Sequence, residues 1–417
     1  MESKNKKFAV ILIDGAADYP VSELGKKTPL QVAVKPNMDM LAALGRTGMV
    51  KTIPDGMSPG SDTANLSILG YDPTRYSTGR SSLEAISIGI KLSDDDITFR
   101  CNLVTLSDEK IYGQKTMVDY SAGEITTNEA RILITDLGDK LGTDKVRFYP
   151  GVSYRHVIVW EGGPDGGVET YALTPPHDIS GRVIEQFLPG GKYGPVILEL
   201  MEKSSGFLQG HPVNIKRVSE NKKPANSVWI WAKAKRPKLD SFIAKYGLKG
   251  SVISAVDLVK GIGISAGLAP VSVEGATGNI NTNFEGKARA AIKELEGGQD
   301  FVFIHIEAPD ECSHQGNLKE KIRAIELIDS LVVKNVKEGL DRMGTAYSIM
   351  VLPDHPTPLS KKTHTSDAVP FLIYTKNGEP EQASNNAVKF DEDSSAKTGL
   401  YIDKGHLLMD YFTGKKK

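Results

Sequence analysis

Four runs of consecutive apolar residues constrain the fold more than anything else in the chain: Phe8–Ile13, Phe301–Ile306, Tyr347–Leu352 and Val369–Tyr374. They are rich in β-branched and aromatic residues and do not alternate with polar ones. Unbroken hydrophobicity over six residues is expected of parallel strands covered by helices on both faces. A helical pattern lies between them. Leu318, Ile322, Ile325, Ile328, Val332, Val336 and Leu340 recur at helical spacing, with Asn317 placed to cap the first turn. The two ends of the chain therefore read as an α/β domain with four buried parallel strands. The middle, from about residue 105 to 240, carries Gly and Pro clusters, and its strands look shorter, as at Tyr154–Trp160 and Ser227–Trp231. An α+β domain inserted between two halves of a core is the economical organisation.

Charge and cysteine usage exclude several classes of function. The 51 basic and 52 acidic side chains leave a formal charge of -1, so no basic surplus points to a nucleic-acid partner. Two cysteines, Cys101 and Cys312, cannot build a disulfide framework and fit a reducing compartment. The apolar run at Phe8–Ile13 is too short for a secretory signal, and no stretch approaches a membrane span. The expectation is a cytoplasmic protein without a membrane partner. Its oligomeric state is not legible.

Three of the apolar runs end in potential metal ligands. Asp14 follows the first at once; Glu307-Ala-Pro-Asp310 follows the second, with His314 four residues on; Pro353-Asp354-His355 follows the third, and His364 comes next. Sites in open α/β sheets gather outside the carboxyl ends of the strands, so these residues would converge. A lone Asp after a strand is more often a turn residue or a helix cap, and Asp354-His355 could be a solvated turn. Three strand ends carrying Asp, Asp-x-x-x-His and Asp-His are harder to ascribe to turn chemistry. Mixed carboxylate and imidazole suits borderline divalent ions such as manganese or zinc, and suits calcium poorly. A second element is Pro59-Gly60-Ser61, a tight turn leading into a helical stretch. Ser61 would serve there as an N-cap or as a nucleophile beside a helix terminus that favours phosphate.

The same residues carry a family resemblance. Ile13–Pro20, Met57–Asp62, Leu69–Pro73, Phe99–Asn102, Thr174–Ile179, Ile253–Leu258, Glu307–Asp310, Pro353–Pro358 and His364–Asp367 occur in order from residue 13 to 367. Together they resemble the archaeal-type, cofactor-independent phosphoglycerate mutases of the alkaline phosphatase superfamily. The resemblance implies an alkaline-phosphatase-like α/β core, residues 1–75 and 245–417, with a mostly parallel sheet flanked by helices. An inserted α+β lid over 76–244 would hold the substrate.

The resemblance also implies two divalent ions, with manganese expected first and magnesium, zinc or cobalt as the other candidates. Asp14, Ser61, Asp354 and His355 would hold one, and Asp310, His314 and His364 the other, with Ser61 as the catalytic nucleophile. Arg80, Arg100, Arg155, His177, Arg182 and Lys260 are the candidates for gripping a small phosphorylated substrate. The implied reaction interconverts 3-phosphoglycerate and 2-phosphoglycerate through a phosphoserine. Other phosphoryl-transfer activities on the same scaffold, such as a homoserine kinase, another sugar-phosphate mutase or a phosphatase, are the alternative. The sequence departs from the family pattern at Ala232 and Ala234, where glycine is expected, and at Gln315-Gly-Asn317, where an acidic residue is commoner. His156, His211, His305 and His406 read as structural. Outside this class, a dinucleotide-binding reading rests on the glycines of Gly261–Gly267, and a non-catalytic metal-binding module is the other rival.

Overall fold

The computed structural model describes residues 6–376 and 387–415. The chain divides into two compact units, residues 1–77 with 238–417, and residues 78–237.

The first unit is built on one eight-stranded sheet: β1 (Lys7–Ile13), β2 (Arg46–Val50), β3 (Gly250–Ile253), β4 (Ala269–Val271), β5 (Phe301–Ile306), β6 (Tyr347–Leu352), β7 (Val369–Lys376) and β8 (Tyr401–Ile402). Their order across the sheet is β8-β2-β7-β6-β1-β5-β3-β4. The first strand of the chain thus lies at the centre, parallel to β5 on one side and β6 on the other. Side chains alternate between two covered faces. Ala9, Ile11 and Ile13 join Val302, Ile304, Ile306, Ile349 and Val351 in a core closed by helices such as Phe284–Glu296 and Leu318–Ile328. On the opposite face Phe8 meets Phe412, and Phe301 meets Phe242. Burial on both faces is why these strands read as unbroken apolar runs.

One expected direction is wrong. Val369–Lys376 runs antiparallel to β6, and also to β2. A parallel return needs a crossover, usually a helix. The chain between Leu352 and Val369 instead forms turns and loop, so β7 comes back the opposite way. The long helical pattern holds, with Asn317 accepting a hydrogen bond from the Glu320 N–H at the helix start. It runs as Leu318–Ile328 and Lys334–Met343, joined by a wider π-helical stretch, Asp329–Val333.

The second unit is α+β. Its antiparallel sheet centres on Ile97–Leu106, with Arg155–Trp160 on one side and Ser227–Lys235 on the other. These central strands are ten and nine residues long, so the expectation of short strands in the middle of the chain is corrected. The helices Thr127–Leu141 and Gly194–Leu208 contribute to its own core, around Phe99, Leu103, Leu133 and Met201.

The unusual alanine has a local backbone meaning. Pairing between Ile97–Leu106 and Ser227–Lys235 slips between Thr98 and Arg100, opposite Ala232, which takes φ 51°. That left-handed conformation costs a residue with a Cβ about 1–2 kcal/mol and glycine almost nothing. Ala234 carries no such requirement. Ala232→Gly is therefore expected to raise stability by about 0.5–1 kcal/mol, after the extra freedom of glycine in the unfolded chain is subtracted. The urea midpoint measures this, and an unchanged or lower midpoint refutes it.

Candidate metal and phosphoryl-transfer site

Asp14, Asp310 and Asp354 stand just beyond the carboxyl ends of three adjacent parallel strands, β1, β5 and β6. The approach is close because residue 15 is glycine. Gly15 has φ 62°, and a Cβ there would lie 2.5 Å from Asp310 Oδ1. Its N–H donates to Asp354 Oδ1 at 3.1 Å. The same oxygen accepts the His355 N–H at 2.9 Å, while Oδ2 accepts from Asn65 Nδ2 at 3.3 Å.

Ser61 opens the helix Ser61–Ile68 but does not cap it; Gly60 occupies that position. The serine hydroxyl is therefore not spent on the helix, and Oγ lies 3.2 Å from His355 Nε2. Asn65, one turn on, donates to the Ser61 carbonyl at 2.8 Å and so joins this turn to Asp354.

Among the described residues two groups of donors are close enough to hold a metal ion: Asp310 with His314 and His364, and Asp14 with Asp310 and His355. In the first, Asp310 Oδ2 is 3.1 Å from His314 Nε2, and Oδ1 is 3.5 Å from His364 Nε2. His314 Nδ1 lies 2.9 Å from the Lys362 carbonyl, which can only accept. Nδ1 then carries the proton, and in the neutral ring Nε2 presents its lone pair to the cluster. The rings of His355 and His364 stack at 4.0 Å. In the second group His355 Nε2 is 3.7 Å from Asp14 Oδ1 and 3.4 Å from Asp354 Oδ2. Thr357 Oγ1 donates to Asp310 and lies 3.2 Å from His355 Nδ1. Asp14, Asp354 and His355 are buried, whereas His314 is exposed and His364 partly so.

The electrostatics match this geometry. Burial, with Asp354 and Asp310 close by, pushes the Asp14 carboxyl well above the usual range. Burial also pushes Glu307 up to about 7, helped by Asp310 and Glu311. Burial would raise Asp310 too, but hydrogen bonds from His314 and His364 outweigh it and hold that carboxyl low. The Asp310 contact lifts His314 to about 9. Asp14 Oδ1 is buried and has no hydrogen-bond partner among the described residues. Crowded carboxylates and an orphaned buried oxygen, aimed among imidazole nitrogens, fit a divalent cation.

The substrate candidates are scattered by comparison. Arg100, Arg155 and His177 lie on one aromatic cluster of the second unit. His177 meets Trp231 and Tyr120, Arg100 stacks on Trp231 at 4.9 Å, and Arg155 lies over Tyr154, which packs on Tyr120. Arg100 also pairs with Glu84. Arg182 lies over Phe187, and Arg80 is exposed just before the helix Ser81–Ser87. Lys260 belongs to the first unit and pairs with Asp257 at 3.3 Å. The Gly261–Gly263 pair lies inside the helix Asp257–Ser265, with Gly263 against Val252. These glycines serve helix-on-strand packing rather than the strand-to-helix turn a dinucleotide needs. Gln315-Gly-Asn317 ends one helix and caps the next.

Four contributors escaped the sequence reading. His305 touches Asp14, its Nε2 lying 2.8 Å from Oδ2. Thr357 and Asn65 hold the carboxylates as described, and the buried Lys287 donates to the His305 carbonyl at 3.0 Å. A histidine inside an otherwise apolar buried strand was the available signal, because a buried imidazole needs partners.

Comparison with known proteins gives the family. The family model described as 2,3-bisphosphoglycerate-independent phosphoglycerate mutase matches residues 42–214. A protein of that name from Methanosarcina mazei is 52% identical over 388 residues, covering 93% of this chain and 94% of its own. A Geobacter sulfurreducens protein, named as a probable enzyme of the same kind, is 48% identical over 404 residues, covering 97% and 98%. Among solved structures, a Pyrococcus horikoshii protein superposes with a TM-score of 0.81 at 30% identity, covering 99% and 98%. The cofactor-independent phosphoglycerate mutase of Thermoplasma acidophilum gives 0.68 at 26%, covering 98% and 99%. The chain is thus an α/β enzyme of the phosphoryl-transferring isomerase class. It belongs to the 2,3-bisphosphoglycerate-independent phosphoglycerate mutase family. No helix among the described residues is long and apolar enough to cross a membrane.

Proposed function

We propose that the chain interconverts 3-phosphoglycerate and 2-phosphoglycerate without bisphosphoglycerate, and that Ser61 carries the phosphoryl group between the two positions. One observation supports this reading above the others: Ser61 Oγ, free of capping duty, lies 3.2 Å from His355 Nε2 beside both donor groups. Asp310, His314 and His364 would hold one divalent ion, and Asp14, Ser61, Asp354 and His355 the other, with Asp310 within reach of both groups. Such ions, manganese foremost, supply Lewis acidity that favours the serine alkoxide and offsets charge on the phosphoryl oxygens.

The chain's own residues do the rest. Ser61 Oγ gives up its proton and attacks phosphorus in line. The bond from phosphorus to the substrate oxygen breaks, and that oxygen takes up a proton to leave glycerate. First-turn N–H groups of Ser61–Ile68 favour the phosphate now carried there. Residues 76–244 would keep the glycerate from escaping, with Arg100, Arg155 and His177 as the first candidates for its grip, Arg80 and Arg182 as the others there, and Lys260 as a candidate from the first unit. The second glycerate hydroxyl then gives up its proton and attacks phosphorus, the bond from phosphorus to Ser61 Oγ breaks, and Oγ takes up a proton again. The cytoplasm suits this chemistry and the two free thiols, Cys101 and Cys312.

The test supplies manganese-loaded protein with 3-phosphoglycerate and no bisphosphoglycerate, with homoserine plus ATP in a parallel reaction. 2-Phosphoglycerate should form, stop when the metal is chelated, and return when manganese is restored. Formation of glycerate and inorganic phosphate alone would mark a hydrolase instead, and phosphohomoserine a kinase.

A further inference from the structure

The two oxygens of Asp14 have different surroundings. Oδ2 lies 2.8 Å from His305 Nε2, whereas buried Oδ1 has no hydrogen-bond partner among the described residues. His305 sits on β5 beside Leu12 of β1, and both Leu12 and Asp14 point to the face that carries His305 because side chains alternate along a strand. On its other side, His305 Nδ1 is 3.1 Å from Ser254 Oγ, just beyond β3. Ser254 Oγ already accepts the Val256 N–H at 2.9 Å. Its own proton is thus available, and the His305 nitrogen is a nearer acceptor than the Val256 carbonyl at 3.4 Å. With Nδ1 accepting, the ring proton resides on Nε2 and is donated to Asp14.

Serine, histidine and aspartate in a row resemble a nucleophile triad. Here Ser254 is only 4% exposed and His305 0%, so no substrate reaches the hydroxyl. The relay ends instead on a carboxylate with one oxygen engaged and one bare. Resting on the reading of Asp14 as a metal ligand, we propose that His305, oriented by Ser254, is a positioning residue that occupies Oδ2 and turns Oδ1 toward the ion of the Asp14, Asp354 and His355 group. The other ion, held by Asp310, His314 and His364, has its own support in Thr357 and the Lys362 carbonyl and does not depend on it.

Manganese titration of the full chain, reading free ion by electron paramagnetic resonance, separates the outcomes. Asp14→Ala should lose about one equivalent. His305→Asn, whose amide can meet Ser254 but is too short for Asp14, should keep two equivalents and weaken one of them about 10–100-fold. His305→Gln, whose amide N–H reaches the Nε2 position, should restore most of that affinity. A merely structural role would not sort the two amides by reach, and in both variants Ser254 Oγ keeps the Val256 N–H and can turn to the Val256 carbonyl. Wild-type affinity in His305→Asn, or equal weakening of both ions, would overturn the inference while leaving Asp14 a ligand. Two ions still bound to Asp14→Ala would overturn the ligand assignment and the inference with it.

Discussion

Ser61→Ala is expected to lower mutase activity by roughly 10⁴-fold or more, the scale on which removal of a covalent nucleophile is felt. The fold should be untouched. Gly60, not Ser61, occupies the cap position of the helix, and the serine hydroxyl makes its contact with His355. Losing one such partly exposed hydrogen bond costs about 1 kcal/mol. Wild-type protein quenched during turnover should carry one phosphate, which mass spectrometry should place on Ser61, and the alanine variant should carry none. Activity within tenfold of wild type in Ser61→Ala would remove the serine from the mechanism.

The second large effect concerns Asp310. Its carboxylate belongs to both donor groups, touching His314 and His364 with separate oxygens. Asp310→Ala should therefore cut bound manganese by at least one equivalent and lower kcat by roughly a thousandfold or more, about 4 kcal/mol of barrier. Asp354→Ala should also lose about one equivalent, but at a greater cost in stability. Asp354 accepts the buried N–H groups of Gly15 and His355, which would be left unpaired, and the Asn65 amide, which would keep only the Ser61 carbonyl. Asp310 sits among acidic neighbours, so its removal relieves repulsion on Asp14 and Glu307. Elemental analysis and melting curves on the two variants check this, and two ions retained by Asp310→Ala would be fatal to the assignment.

What the sequence revealed followed from burial. Strands covered on both faces leave unbroken apolar runs, so all four marked runs are strands, and the acids and imidazoles after three of them stood out by contrast. Strand direction was hidden, because Val369–Lys376 reads the same whether it runs parallel or antiparallel; the difference lies in the connection before it, which holds Asp354, His355 and His364 and has no helix. The long strands Ile97–Leu106 and Ser227–Lys235 were obscured by polar residues such as Asn102 and Lys233, whose partners lie far away in sequence. His305 was missed for the same reason. Its meaning depends on Asp14, 291 positions distant, which only the pairing of β1 with β5 brings within reach. The left-handed Ala232 could be suspected from composition, yet the bulge that demands it is a property of two paired strands.

The central place of β1 has a consequence for how the molecule is made. Lys7–Ile13 leaves the ribosome long before its partners, Phe301–Ile306 and Tyr347–Leu352. At about 5–20 residues per second, close to 300 residues of further synthesis take roughly 15–60 s. Through that interval a seven-residue apolar strand has neither edge paired, while residues 78–237 emerge as one contiguous stretch with a core of their own. The newborn chain therefore finishes residues 78–237 before the partners of β1 exist, and Asp14 waits for Asp310 and Asp354 until about 300 and 340 further residues have been added.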